Sequence, residues 1–349
     1  MKKIFILPYS AMLKLLLIIF LIHLLPGCDK PEVYSTQGGF PDSPVNLKFL
    51  NSEYDDYNSN IPPGEYNSIT FIFSSNRNSK GADFDLILYT LIVNYPFETE
   101  VLAFGESYGI TTVHSDLRPI DSLYNTSANE FGPYIYNDSD PNNLHIDGWS
   151  EYFLFYTQEK EGQLDIIYLY NKFNEIQTIH DRFHWVGPNP VTSLNTGKYN
   201  EGYISIEGDS LYYCSDVNGD FDIFIKTVPD SLSVLEFVDE PNDGVYVPVE
   251  ILNSNGDDKC PYVVGDFMVF TSNRPGGFGG YDLYYSKKVN GEWSSPSNFG
   301  STINTEYDEY RPIVSRYDSI RNDLMIFSSN RPKGLGGFDL YYVGITESK

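Results

Sequence analysis

Cysteine is nearly absent: the 349 residues hold three, Cys28, Cys214 and Cys260, with no CxxC pair and no disulfide framework. Basic residues are also scarce, 23 Lys and Arg against 48 Asp and Glu, for a formal charge of -25. Such a field repels phosphate backbones and anionic lipid, which excludes nucleic acid as a partner. Beyond residue 30 no long apolar helical face occurs. What is present is aromatic: 29 Tyr and 23 Phe in a chain that is 41% hydrophobic. These side chains pack well on pleated strands, and the chain is long enough to bury a large core. The composition predicts an all-β protein.

The one long apolar run, Leu15 to Leu25, follows Lys2 and Lys3 and ends at Leu25, Pro26, Gly27, Cys28, the layout of an export signal. The ending resembles the bacterial lipobox. That resemblance implies a signal peptide over 1–27, Cys28 as the first mature residue carrying acyl chains such as palmitate, and a lipidated linker over 28–44. Two or three chains, at about 0.8 kcal/mol per buried methylene, hold a protein on a membrane. Of the remaining thiols, Cys214 lies in the apolar stretch YYCS and reads as a core residue at least as readily as a partner for Cys260.

The mature chain repeats. FIFSSNR (71–77), FLFYTQE (153–159), LYYCSDV (211–217), MVFTSNR (268–274) and MIFSSNR (325–331) align with Ser75, Thr157, Ser215, Ser272 and Ser329 at one position, spaced by 82, 58, 57 and 57 residues. After each comes a polar loop and a second apolar run opened by Asp85, Asp165, Asp222, Asp282 or Asp339. Before each lies an Asn-led turn, at 51–61, 125–135, 195–205, 241–251 and 304–314. In FMVF (267–270) and LMIF (324–327) residues facing both ways are apolar, so these strands are expected to be covered on both faces.

Four-stranded sheets stacked around an axis satisfy that pattern, and five anchors predict a β-propeller of five blades over 45–349. The last repeat lacks a fourth strand, while VNLKFL (45–50) precedes the first turn as a spare one. The N-terminal strand is therefore expected to complete the last blade and close the ring, leaving no open edge.

FTSNRPGGFGGYDLYY and FSSNRPKGLGGFDLYY resemble the WD-like repeat of TolB-type β-propellers, and the arrangement is similar to that of envelope lipoproteins of Bacteroidetes-like bacteria. The resemblance implies a cell-envelope, outer-membrane location and a role in binding another envelope protein or a glycan. In these repeats the glycines are expected to permit positive φ in a hairpin. Arg77, Arg274 and Arg331, with the repeated Ser and Asp, are expected to tie each hairpin together.

Chemistry is sparse. GESYG (105–109) matches a nucleophile elbow at Ser107, but a strand-like ITTVH follows where an elbow needs a helix. DVNGDFD (216–222) places Asp216, Asn218, Asp220 and Asp222 like the opening of a calcium loop. Residue 227 is Thr where the closing Glu belongs, and turn formers are expected in this hairpin slot. His180 and His184 have zinc spacing only on a helix, and the HExxH pattern is missing. Trp149, Trp185, Trp293, Tyr307 and Tyr310 are aromatics that could stack on a sugar.

With no complete catalytic set, the sequence predicts no cofactor and a non-enzymatic, lipid-anchored interaction scaffold. The alternatives are a carbohydrate-active enzyme like the five-bladed glycoside hydrolases, or a surface glycan-binding lipoprotein of a polysaccharide-uptake system. Catalytic acids are expected where the repeat is broken, since a repeated acid serves each blade alike.

Overall fold

The computed structural model describes residues 38–62, 68–94, 101–106, 117, 121–137, 151–173, 183–317 and 320–349. Blade 1 comprises Asp56–Asn60, Ser68–Ser75, Asp85–Asn94 and Ala103–Glu106; blade 2 comprises Asn129–Asn137, Tyr152–Lys160, Gln163–Phe173 and Phe183–Pro190. Blade 3 comprises Glu201–Glu207, Ser210–Ser215, Asp222–Thr227 and Val247–Pro248. Blade 4 comprises Asp258–Val264, Phe267–Ser272 and Asp282–Val289, with Glu292–Trp293 and Ser297–Asn298 both paired to its third strand. Blade 5 comprises Glu309–Ser315, Asp323–Ser329 and Asp339–Ile345, and its outer strand is Val45–Asn46. Val45 pairs with Tyr342 and Asn46 with Tyr341, so the N-terminal strand closes the ring as expected. The first strands line the axis, each touching the next and the fifth touching the first. The protein is a five-bladed β-propeller. Among the described residues no helix is long and apolar enough to cross a membrane.

The second strands show why the sequence stacks in this way. Phe71, Ile72 and Phe73 are fully buried, as are Met268, Val269 and Phe270, and Met325, Ile326 and Phe327. Neighbouring side chains in a strand point to opposite faces, so each blade is covered on both sides by its neighbours. Full burial of each such side chain contributes about 1.5–3 kcal/mol.

The Asn-led turns are the ties between blades. Asn51, Asn125, Asn195, Asn253 and Asn304 each accept an N–H through Oδ1 and donate to the carbonyl of the same residue through Nδ2, at 2.7–3.0 Å. The partners, Leu340, Leu86, Ile166, Ile223 and Leu283, each follow a repeated Asp on the third strand of the preceding blade. Two alignments change as a result. The fourth turn begins at Asn253, not at 241, because Val247 and Pro248 pair with Ile225 and Phe224 as the outer strand of blade 3. In blade 2 Gln158, not Thr157, faces Asp165 as Ser75 faces Asp85.

The glycines also differ from expectation. The left-handed hairpin position is Gly276, φ 94°, and its counterpart is Lys333, φ 76°. Gly279 and Gly280 are needed for close approach instead: a Cβ there would overlap the Tyr307 carbonyl oxygen and Asp308 Oδ1 of the next blade. Gly336 and Gly337 meet the Tyr54 carbonyl oxygen and Asp55 Oδ1 in the same way.

Candidate functional site: the mouth of the propeller axis

The repeated residues hold the blades. Asp282 accepts the N–H groups of Phe278 and Gly279 at 2.6 and 3.1 Å and the Asn298 amide at 2.9 Å. Asp339 accepts from Leu335, Gly336 and Asn46 in the same pattern. Asp85 and Asp222 accept from Asn78 and Asn218 at 2.9 and 3.0 Å. These aspartates hold their hairpin loops, whereas the arginines reach further. Arg77, Arg274 and Arg331 bond Ser75, Ser272 and Ser329 through Nε. Their Nη2 atoms pair with Asp56, Asp258 and Glu309 at 2.5, 2.5 and 3.0 Å.

Those three acids belong to a buried ring at the start of the first strands, completed by Glu130 and Glu201, all fully buried. Glu130 pairs with Gln158 and Glu201 with Ser215, as Asp56 pairs with Ser75. Blades 2 and 3 have no arginine to match, and burial pushes Glu130 and Glu201 each up to about 7. The acid ring was missed in the sequence because each acid stands in an acidic or polar turn where a solvated reading comes first.

Two residues beyond the acids every first strand bulges. Asn58, Gly132, Tyr203, Cys260 and Arg311 occupy equivalent positions with φ of 57°, 52°, 57°, 55° and 48°, and the strand register shifts at each. Left-handed backbone costs a non-glycine residue about 1–2 kcal/mol. Three of these N–H groups are bound by hydroxyls of the preceding blade: Asn58 by Ser328, Tyr203 by Thr157 and Arg311 by Thr271, at 3.1, 2.9 and 3.0 Å. In the fourth, the Cys260 N–H meets Cys214 Sγ. Both cysteines are free, buried thiols in one cluster with Phe131 and Tyr203.

Three residues past each bulge stands an aliphatic collar, Ile61, Ile135, Ile206, Val263 and Val314, and beyond it the axis opens into a cavity of ≈ 340 Å³. All five blades line it. The position just past the collar differs from blade to blade: Tyr136, Glu207, Val264 and Ser315 in blades 2 to 5. Asn137, Arg316 and the buried Tyr134 and Tyr262 complete the polar and aromatic lining. Glu207 Oε2 accepts the Gly265 N–H at 2.9 Å. The next residue, Asp266, pairs with Arg316 at 2.9 Å, which holds its carboxyl below the usual carboxylate range. Glu207 is the carboxylate that breaks the repeat and faces the axis.

The other candidates lie elsewhere. Asp216 accepts the N–H and amide of Asn200 at 2.9 and 2.6 Å, and Asn218 is bonded to Asp222, so the loop that includes Asp220 braces blade 3. Among the described residues no three His, Cys, Asp or Glu side chains are grouped to hold a metal. His184 sits exposed in a strand, which removes the helical spacing a zinc pair needs. Trp293 donates to the Tyr212 hydroxyl at 3.2 Å, Trp185 packs edge-on to Tyr152, and Tyr310 packs on Tyr203 and Tyr281. Tyr307 alone of these is exposed, beside Phe278 in a surface cleft between blades 4 and 5. Cys28, Ser107, His180 and Trp149 lie outside the described residues.

The site and fold therefore define a five-bladed propeller with one mixed aromatic and polar mouth on its axis. No family model and no curated protein matches the chain. Among solved structures it is similar to an alpha-L-arabinofuranosidase from Podospora anserina, 12% identical, covering 87% of this chain and 98% of that one, TM-score 0.47. It is also similar to an alpha-L-arabinanase from Cellvibrio cellulosa, 13% identical over 84% and 92%, TM-score 0.43. An exo-1,5-alpha-L-arabinanase from a bovine ruminal metagenomic library is 9% identical over 87% and 94%, TM-score 0.47. These distant likenesses carry no argument about activity. The TolB-type, WD-like identification is nonetheless corrected: the solved structures named are an arabinofuranosidase and two arabinanases. The expectation of a non-enzymatic interaction scaffold, drawn from the lack of a complete catalytic set, is corrected by the same structures.

Proposed function

We propose that the protein is carbohydrate-active and takes a neutral saccharide into the axial mouth. The observation that carries this reading is the mouth itself, a cavity of ≈ 340 Å³ formed by all five blades. Its size falls in the roughly 300–1,000 Å³ range of small-ligand sites. Tyr136 offers an aromatic face for a sugar ring, and Asn137, Glu207, Ser315 and Arg316 offer donors and acceptors for hydroxyls. The acidic surface disfavours anionic glycans. Hydrolysis by the usual route needs two carboxyl groups roughly 5–9.5 Å apart, and the pair to test is Glu207 with Asp266. The test is titration with neutral oligosaccharides, arabino-oligosaccharides among them, with chromatography of the products. Binding that Tyr136→Ala abolishes supports the reading, and cleavage lost in Glu207→Gln assigns the acid. A wild-type protein that neither binds nor cleaves any member refutes it.

The proposal extends to location: a cell-envelope protein held by acyl chains on Cys28. Cys28→Ser is expected to move the protein from the membrane to the soluble fraction. Unchanged fractionation would contradict the anchor.

A further inference from the structure

The cleft between blades 4 and 5 lies at the end of the propeller away from the mouth. Strand register fixes this: Asp258, Ser272 and Asp282 pair across blade 4 at the end that carries its hairpin loop, while Val264 pairs with Phe267, and Phe267 with Lys287, at the mouth end. Phe278, at the tip of that loop, and Tyr307, in the turn that opens blade 5, line one open cleft of ≈ 510 Å³. They are 49% and 38% exposed. Leaving two large rings in water forgoes the stabilisation that burial would bring, and a patch of this kind marks a surface that binds something.

The fold does not require the rings. In blade 5 Leu335 takes the place of Phe278 and is 51% exposed, so neither tip is a core residue. The structural contacts lie beside the ring. The Phe278 N–H bonds Asp282 at 2.6 Å, and a Cβ on Gly279 would lie 2.0 Å from the Tyr307 carbonyl oxygen. The backbones that carry Phe278 and Tyr307 are therefore pressed together and fixed before any ligand arrives.

The polar groups of the cleft fall into two sets. On its inner side Asn304 is bonded to Leu283, Thr305 to Glu309, and Arg331 to Ser329, Ile303 and Glu309. On its outer side Ser301, Glu306 and Lys333 are exposed, and their side chains make no bond among the described residues. One acid and one base leave that side without net charge.

We propose that this cleft is a second saccharide site, which holds a neutral polysaccharide chain along Phe278 and Tyr307 with hydroxyls bonded to Ser301, Glu306 and Lys333. It deepens the carbohydrate-active reading and rests on it. Ring faces suit the apolar faces of sugars, and the outer side chains supply donors and acceptors. Balanced charges give no field to collect a polyanion. Because the cleft is open, a short oligosaccharide is held weakly, whereas a polymer that presents many equivalent segments is retained by their number. Cleft and mouth face opposite ways, so the cleft keeps the protein on the polysaccharide while the mouth takes another chain of it.

The test is native electrophoresis of the full chain through gels containing neutral polysaccharide, arabinan among those tried, beside titration of the mouth with short oligosaccharides. Wild type is expected to be retarded. Phe278→Leu combined with Tyr307→Ala should weaken retention by about tenfold or more, with Tm and the oligosaccharide titration unchanged, since Leu is what blade 5 carries at that tip. Retention unchanged in the double variant, or lost in Tyr136→Ala alone, overturns the proposal and leaves the mouth reading standing. Retention lost in the double variant, with no oligosaccharide bound by wild type in titration, supports the cleft and refutes the mouth. Wild type retarded by no polysaccharide overturns the proposal, and a change of oligomeric state in the double variant would then make the cleft an interface between copies.

Discussion

Replacing Glu130 by Gln should make the protein more stable at pH 8 and remove part of its pH dependence. Glu130 is fully buried, with Oε1 accepting from Thr126 at 2.6 Å and from Gln158 at 3.3 Å and with Oε2 unpartnered. Burial raises it from 4.5 to about 7. Between those values the folded protein keeps a proton that the unfolded chain has released. Stability therefore falls as pH rises from 4.5 to 7 and levels off above that. At about 1.4 kcal/mol for each pH unit the upper bound is about 3 kcal/mol, and relaxation of the surroundings when the carboxyl ionises reduces this to about 1.5 kcal/mol. Gln carries no charge to bury, so Glu130→Gln should gain about that much at pH 8 and little at pH 4.5. The assay is the urea midpoint from pH 4 to 9 for both proteins. An unchanged slope in Glu130→Gln, or a variant less stable than wild type at pH 8, refutes the reasoning.

Four further variants test the arginine anchors and the glycines. Arg274→Met leaves Asp258 buried and unpaired and removes the bond to the Leu252 carbonyl oxygen, so it should cost about 3–5 kcal/mol in chemical denaturation. Arg274→Lys should recover little of that, since an ammonium does not reproduce the planar guanidinium fork. Gly336→Ala places a Cβ against the Tyr54 carbonyl oxygen at the junction of blades 5 and 1 and should lower the melting temperature by several degrees, on the order of 1–3 kcal/mol. Gly162→Ala, with open space around it but φ of 82°, should cost only about 1 kcal/mol.

What the sequence revealed, and what it hid, follows from how much each position is allowed to vary. The Ser, Arg and Asp of SNR…D recur because each makes the same bond in its blade, and the closing strand was visible as an unmatched VNLKFL. The buried acids were hidden by their neighbours: Asp55 and Asp56, Asp257 and Asp258, and Asp308 and Glu309 look alike in sequence, yet only the second of each pair is fully buried. In the sequence Thr157 fits the anchor position of blade 2, because it supplies a hydroxyl there as Ser75 does in blade 1. The register gives that role to Gln158. The bulge position could not be read at all, since Asn, Gly, Tyr, Cys and Arg share no chemistry; what they share is a backbone angle. Glu207 had one available signal, its departure from the repeat.

The most direct measurement is a crystal of the protein soaked with a neutral oligosaccharide. The account predicts a sugar ring on Tyr136 with a hydroxyl bonded to Glu207, in the mouth beyond the collar of Ile61, Ile135, Ile206, Val263 and Val314. Density confined to the Phe278 and Tyr307 cleft, or an empty mouth under saturating sugar, would contradict it.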